Sequence, residues 1–185
     1  MTVKSDSIYQ LKITLKDSKP PIWRRVLVPG SFSLGKLHRV IQISMGWTDS
    51  HLHMFDINRT FYGVPSPEDW EPVKNETRFR IDKVAPPEKG KFIYEYDFGD
   101  SWIHTVTVEK IVPPAPDGKY PQCIKGKGAC PPEDVGGVWG YEEFLEAVGD
   151  PEHEEHESML EWAGGEFDPE ALDLEEINEE LRRVK

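Results

Sequence analysis

Residues 91–112, KFIYEYDFGDSWIHTVTVEKIV, decide the fold, because they carry the strongest strand pattern of the chain. Gly99 and Asp100 separate two alternating runs, and both residue types favour a turn. The first run places aromatic residues on one face, namely Phe92, Tyr94, Tyr96 and Phe98. In the second run, one face of the strand carries Trp102, His104, Val106 and Val108. The pattern predicts an antiparallel hairpin whose two runs face a common core.

Three further stretches with alternating apolar and polar residues precede this hairpin and predict strands at 8–15 (IYQLKITL), 22–28 (IWRRVLV) and 51–57 (HLHMFDI). The first two are separated by a turn with two prolines, so we expect them to pair antiparallel. Between the second and third, Ser33 is suited to begin a helix and Gly46 to end it after Met45. His38 falls at the edge of this helix and is interpreted as a boundary residue without chemistry.

The residue pattern of the C-terminal third of the chain predicts three helices. Apolar residues recur with helical spacing at 141–148, and the pairs Asp150-Pro151 and Asp168-Pro169 are typical helix starts. Strands that precede helices in separate blocks favour the α+β class. We therefore predict one domain over residues 1–185, with a mostly antiparallel sheet, one helix after the second strand and three C-terminal helices.

The charge is distributed unevenly along the 185 residues, whose net charge is −12. Residues 141–185 contain 17 acidic and 3 basic residues, so general binding to nucleic acid is disfavoured by repulsion of the phosphates. No run of eighteen apolar residues occurs, and the N-terminal residues alternate instead of forming a signal peptide. The sequence therefore predicts a cytoplasmic protein without a membrane segment.

The irregular stretch at 120–141, YPQCIKGKGACPPEDVGGVWGY, contains both cysteines of the chain. Its prolines and glycines exclude a helix or a central strand over most of its length, so packing by Trp139 and Tyr141 or a cross-link must hold it. Two thiolates and two imidazoles suit tetrahedral Zn²⁺. The predicted ligands are Cys123, Cys130, His153 and His156. The six residues between the cysteines exceed the usual spacing, and the alternative is two thiols that pack as small apolar side chains.

A second constellation surrounds the hairpin turn. Histidines and aspartates on short strands can perform acid–base chemistry or hold a metal for hydrolysis. The candidate catalytic residues are His51, His53, Asp97, Asp100 and His104. The alternative places His104 in the core and uses Asp100 to close the turn. Nucleophilic catalysis has no support, because the chain contains neither a G-x-S-x-G motif nor a phosphate-binding loop.

A local basic face is predicted near the N-terminus despite the acidic total. Arg24 and Arg25 adjoin several lysines, and such a cluster could contact phosphates in a DNA accessory factor. The lysines are Lys4, Lys12, Lys16 and Lys19. The alternative is a solvated surface that pairs with the acidic C-terminal residues.

Taken in order, a series of motifs resembles the plasmid pRiA4b ORF-3-like family. The motifs are IYxLKIxL, PPIWRR, LHxVIQxxMGW, HLHxF, YxYDFGDxWxHxVxVE, YPxCxxGxGACPPEDVGGxxGYxxFL, DPxHEEH and FDPExxD. The resemblance implies one α+β domain, no known catalytic residues and an association with plasmids and mobile elements, since some members are labelled transposon passenger proteins. The first functional hypothesis is therefore a non-enzymatic accessory protein with a protein partner. A metal-dependent enzyme and a DNA accessory factor are the alternatives.

Overall fold

The computed structural model describes residues 7–185, and over these residues one eight-stranded sheet organises the molecule. Its spatial order is β5-β4-β3-β6-β7-β1-β2-β8, and β4 and β5 form the parallel pair in an otherwise antiparallel arrangement. The strands are β1 (Ile8–Leu15), β2 (Trp23–Pro29), β3 (His53–Ile57), β4 (Thr60–Gly63), β5 (Val73–Asn75), β6 (Lys91–Tyr96), β7 (Trp102–Val112) and β8 (Gln122–Lys127).

Helices join this sheet in the predicted order, and the α+β class is confirmed. They are α1 (Leu34–Met45) after the second strand, the short α2 (Ile81–Val84) after a 3-10 turn at Glu76–Arg78, and the C-terminal α3 (Gly137–Gly149), α4 (His156–Trp162) and α5 (Leu174–Leu181). The expected starts at Asp150 and Asp168 are wrong. Each of these carboxylates accepts a hydrogen bond from the backbone N–H two residues ahead, which closes a local turn instead of a helix.

Helix α1 has the predicted ends. The Ser33 hydroxyl accepts a hydrogen bond from the Lys36 N–H, and Gly46 adopts a left-handed conformation at φ 114°. The N–H of Trp47 then donates to the Gln42 carbonyl, so the chain folds back over the last turn. This reversal buries Trp47 against Trp102 of β7 and fixes the direction of the loop that leads into β3.

The hairpin of β6 and β7 forms the centre of the core. Alternate residues of both strands are buried as predicted, including Tyr94, Tyr96 and Trp102. Phe98 does not continue this face, and 49% of it is exposed. The strand ends at Tyr96, and a positive φ of 57° at Asp97 turns the chain away from the sheet.

The irregular stretch at 120–141 contributes β8, which pairs with β2 at the edge of the sheet. Two polar side chains anchor it. The Arg24 guanidinium donates to the carbonyls of Lys127 and Gly128, and Asn178 of α5 bonds the backbone of Cys123. The expected packing by Trp139 is wrong, because 80% of this side chain is exposed. Over residues 7–185, every helix is too short or too polar to span a bilayer.

Candidate metal centre

Two stacked histidines form the centre of the candidate site. The imidazole rings of His38 and His53 are 3.4 Å apart between centroids and 7° from parallel. His38 Nδ1 lies 2.8 Å from the hydroxyl oxygen of Tyr94, which also accepts a hydrogen bond from Gln42. Burial lowers the pKa of His38, and the neighbouring His53 lowers that pKa further. His38 is therefore neutral at neutral pH, which is the form that coordinates metals.

Each histidine of the pair also meets a carboxylate. His38 Nε2 is 2.7 Å from Asp49 Oδ1, and His53 Nε2 is 2.7 Å from Glu76 Oε2. Glu76 is buried, whereas 54% of the Asp49 side chain is exposed. One ligand atom from each of His38, Asp49 and His53 lies within 4.8 Å of the other two, the spacing at which a single cation can contact all three.

Local structure explains why these residues converge. His38 and Gln42 are one turn apart on α1, so their side chains project from the same side of the helix. Asp49 lies in the loop after α1, where its N–H donates to the Gln42 side chain. His53 begins β3, and Glu76 begins the 3-10 turn that packs beside α1. The site thus combines α1, the loop after it and the start of β3 with the 3-10 turn, which lies more than twenty residues further along the chain.

A second cluster surrounds His51, which lies in the loop just before β3. Its Nε2 atom is 2.9 Å from Asp134 Oδ1, 3.6 Å from Asp97 Oδ2 and 3.8 Å from Glu133 Oε2. The nitrogen is buried, yet none of these contacts has hydrogen-bond geometry. Glu133 is held in place by hydrogen bonds from Thr48 and from the Tyr96 hydroxyl. Of these side chains, His51, Asp97 and Asp134 bring one ligand atom each within 4.8 Å of the other two, so this cluster could also hold a cation.

Both clusters contribute to one cleft of about 600 Å³. Its lining residues from the clusters are His38, Asp49, His51, His53 and Glu76. Ser33, Gly35 and Lys36 from the N-terminal end of α1 also line the cleft. The cleft therefore brings imidazoles and carboxylates to a space that a small substrate or part of a larger one can enter.

The structure divides the candidate catalytic residues into two groups. His51, His53 and Asp97 contribute to the clusters just described. Asp100 instead accepts a hydrogen bond from the Gly136 N–H, so it joins the hairpin turn to the loop before α3. His104 is fully buried in the core, where burial lowers its pKa to about 4, and its Nδ1 contacts the Tyr94 carbonyl. These two residues have structural roles.

Sequence reasoning missed His38, Asp49, Glu76 and Asp134. His38 was interpreted as a boundary residue, but it lies in the first cluster. Its signal was indirect: Gln42 follows His38 by one turn, so two polar residues share the mostly apolar inner side of α1. The acidic partners Asp49 and Asp134 come from loops and Glu76 from a short 3-10 turn, where carboxylates are common and follow no pattern.

The predicted cysteine and histidine ligands do not form a cluster of this kind. Within residues 7–185, the groups that bring three ligand atoms within 4.8 Å contain none of the four residues Cys123, Cys130, His153 and His156. His153 Nδ1 accepts from the Glu155 N–H, and His156 Nδ1 lies 2.9 Å from the Ala147 carbonyl. Burial raises the pKa of both thiols, so both are protonated at neutral pH. Zinc at these residues stays a prediction.

The arginines of the predicted basic face are occupied by other contacts. Only 1% of Arg24 is exposed, and its guanidinium donates to four backbone carbonyls, those of Trp23, Ser44, Lys127 and Gly128. Arg25 makes a bidentate ion pair with Glu109. The expectation that Arg24 contacts phosphate is therefore wrong, because this side chain lies in the interior. Lys4 falls outside the described residues.

The fold and the cleft define a class of protein: an α+β domain in which one sheet and α1 enclose a histidine–carboxylate site. Comparison with known proteins makes the assignment specific. The family model described as "Plasmid pRiA4b ORF-3-like protein" matches residues 7–176, and the chain belongs to this family, as the motifs indicated.

Two relatives illustrate the family. An uncharacterized protein of Sinorhizobium fredii, y4hQ, is 41% identical over 175 residues, which cover 93% of this chain and 89% of that protein. The crystal structure of a protein of unknown function from Methanosarcina mazei is similar, with a TM-score of 0.85 and 40% identity. The match covers 92% of this chain and 97% of the other. These relatives support the fold and leave the function to be argued from the site.

Proposed function

We propose that this protein is a metal-dependent enzyme of hydrolytic type whose metal is held by His38, Asp49 and His53. The observation that carries the proposal is the convergence of these three ligand atoms within 4.8 Å, at the wall of a cleft. Two imidazoles and one carboxylate are the donor types that hold catalytic zinc and non-haem iron, and a metal held by these three residues would still need water or substrate as further ligands.

The surrounding residues have the properties expected of supports for such ligands. Tyr94 is fully buried and contacts His38 Nδ1, which orients the ring so that Nε2 faces Asp49. Glu76, buried beside His53, restrains the second ring. A carboxylate that accepts from a ring N–H, as Glu76 can from His53, selects the tautomer of a ligating histidine and raises its basicity. A bound divalent ion would make a coordinated water more acidic and polarise a carbonyl or phosphoryl oxygen.

His51 is the proposed acid–base group of the cleft. Its imidazole lies in the same cleft as the three ligands and can accept a proton from water or return one to a leaving group. Asp97 and Asp134 both lie beside its Nε2 atom, at 3.6 and 2.9 Å. In this proposal His38, Asp49 and His53 would hold the metal, and the cluster around His51 would transfer protons.

Metal binding is tested by titrating the metal-free protein with Co²⁺ and recording the visible spectrum. We expect one equivalent to bind with nitrogen and oxygen ligands, without the charge-transfer bands of thiolates. Asp49→Asn should weaken binding by more than about 100-fold, beyond the loss typical of supporting residues. Glu154→Asn, an exposed carboxylate outside both clusters, serves as the control. Failure to bind Co²⁺, or equal affinities in Asp49→Asn and the control, would overturn the proposed site.

The same titration tests the predicted cysteine site. Thiolate bands that disappear in Cys123→Ser would assign the metal to Cys123, Cys130, His153 and His156 and would overturn the proposed centre. Unchanged binding in Cys123→Ser supports it.

Catalysis is tested separately with 4-nitrophenyl esters and phosphodiesters. Turnover should require the metal and fall by about 10²–10⁴-fold in His51→Gln, the contribution typical of general acid–base groups. Metal affinity should change little in this variant. Unchanged turnover in His51→Gln would show that His51 is not the acid–base group. Turnover in the absence of metal would show that the reaction does not depend on a metal.

A non-enzymatic accessory role in the cytoplasm is the second candidate. It is supported by Trp139 on α3 and Trp162 on α4, which are 80% and 51% exposed among acidic residues and could contact a protein partner. Both thiols are free, which suits a reducing compartment. An association with plasmids, as the description of the family suggests, fits this role, and a metal-free protein without turnover would favour it.

A further inference from the structure

We infer that an apolar groove with an acidic rim, next to the metal cleft, binds a peptide segment that combines apolar and basic side chains. The docking groove has a volume of about 660 Å³, and its apolar lining, called the floor below, consists of Leu52, Phe61, Val64 and Phe98, with Trp70 projecting into solvent beside them. The exposed fractions of Leu52, Val64, Trp70 and Phe98 are 65%, 63%, 102% and 49%. Contiguous exposed apolar residues of this size mark interaction sites.

Several parts of the chain build this floor. Leu52 precedes β3, Phe61 lies on β4, and Val64 follows β4 directly. Trp70 belongs to the loop between β4 and β5, and Phe98 lies in the hairpin turn after β6. The turn of the chain at Asp97, which removes Phe98 from the core, thereby delivers an aromatic ring to the groove.

The rim of the docking groove is acidic. Its carboxylates come from Glu68, Asp69, Glu71 and Glu95, and no lysine or arginine of the described chain lines the groove. Within residues 7–185, none of these four carboxylates has a basic side chain within 4.0 Å. Asp69 accepts from the Ser66 N–H and Glu95 from the Ser101 hydroxyl, so two of them are already held in position by neutral donors.

This combination identifies the occupant by charge complementarity. Lysine or arginine side chains would meet the rim while apolar side chains cover the floor. A second copy of the chain is disfavoured, because a symmetric contact through this surface would bring the same four carboxylates of each copy together. Phosphate groups would be repelled in the same way.

The docking groove adjoins the metal cleft, because Leu52, His53 and Val64 line both. A segment bound in the groove would therefore reach the metal ligands, and a peptide or peptide-like substrate becomes the expected class for the hydrolytic site. This consequence rests on the proposed function. The binding itself does not, because the floor and rim require no metal.

The test measures fluorescence anisotropy of a fluorescein-labelled amphipathic peptide of leucine and lysine, in chelator and at about 150 mM salt, where surface charges are screened within about 8 Å. We expect saturable binding that Trp70→Ala weakens by about tenfold or more, as for an aromatic anchor. The rim variant Glu68→Gln/Asp69→Asn/Glu71→Gln should weaken it as well. The matched control, Glu154→Gln/Glu157→Gln/Glu161→Gln, removes three charges from exposed positions around α4 and should bind as the unmodified protein does.

Three results would overturn the inference. The first is an equal loss in the α4 control, which would reduce the binding to general charge attraction. The second is equal affinity for a serine–lysine peptide of the same charge, which would exclude the apolar floor. The third is self-association that Trp70→Ala abolishes, which would assign the groove to a second copy of the chain. Because chelator is present throughout, peptide binding can fail or succeed independently of the metal site.

Discussion

Replacing Arg24 with methionine removes a buried cation that joins three parts of the fold. Its guanidinium donates to Trp23 on its own strand, to Ser44 near the end of α1, and to Lys127 and Gly128 at the end of β8. Methionine is of similar length and fills the space, so the change isolates the loss of hydrogen bonds from the loss of packing.

The magnitude follows from the number of bonds. A hydrogen bond to a charged group contributes about 1.5–3 kcal/mol, so four bonds set an upper bound of about 6–12 kcal/mol. Removing the cation also removes its own desolvation cost of several kcal/mol. We therefore expect the free energy of unfolding to fall by about 3–5 kcal/mol, a large part of the total stability of an ordinary domain.

Urea denaturation followed by tryptophan fluorescence measures this change. With a slope of about 2 kcal/mol per molar urea, the midpoint should fall by about 2 M. The matched control is Arg25→Met, the adjacent residue, whose partly exposed pair with Glu109 should contribute about 1 kcal/mol or less. Equal midpoints for the two variants would refute the reasoning that Arg24 anchors β8 and the end of α1.

Three further predictions concern the core, a helix start and a tight turn. His104 has a folded-state pKa of about 4, below its unfolded value near 6.5, so stability should be complete above pH 6.5 and fall by up to about 3 kcal/mol as the pH drops towards 4. Asp173→Ala should cost about 1 kcal/mol in urea denaturation, because the carboxylate caps α5 through two backbone N–H groups. Gly137→Ala should cost more than about 1 kcal/mol, because φ is +70° and a Cβ would clash with the Asp100 carbonyl oxygen. A Cβ at Gly149 meets no atom within 4 Å beyond its neighbours and its own helix, so Gly149→Ala should be neutral or stabilising.

Each of these expectations has a contradicting outcome. A His104→Phe variant that retains the full loss of stability between pH 6.5 and 4 would assign that loss to other groups. An Asp173→Asn variant as unstable as Asp173→Ala would show that the cap contributes little, since asparagine also caps helices. Equal effects of alanine at Gly137 and at Gly149 would exclude the close approach to Asp100 as the cause.

The sequence predicted those elements whose signal is local. Helix α1 could be located from Ser33 to Gly46 because a cap and a left-handed glycine are properties of a few adjacent residues. The β6–β7 hairpin followed from side-chain alternation, which reflects the two faces of any strand. The helix starts at Asp150 and Asp168 were predicted wrongly because an aspartate followed by a proline also closes a simple turn, and the same signal serves both outcomes.

The candidate site could be predicted in part. His51, His53 and Asp97 were identified because they lie near one strand and one turn. Asp100 and His104 were chosen for the same reason, but the distinction between the cleft and the core depends on which face each strand presents to α1. His38 was missed because a histidine on a helix edge has no local sign of its partner.

The α+β class, the family and most of the secondary structure follow from the amino-acid sequence, since alternation, capping and composition act over a few residues. Three features are visible only in the tertiary structure: the stacking of His38 on His53, the burial of Arg24 in the interior and the exposure of Phe98 to solvent. The physical reason is that these outcomes depend on contacts between segments far apart in the chain, such as α1 with β3 and β2 with β8. Hydrophobic burial sets how such segments pack, and the packing then determines which polar groups meet.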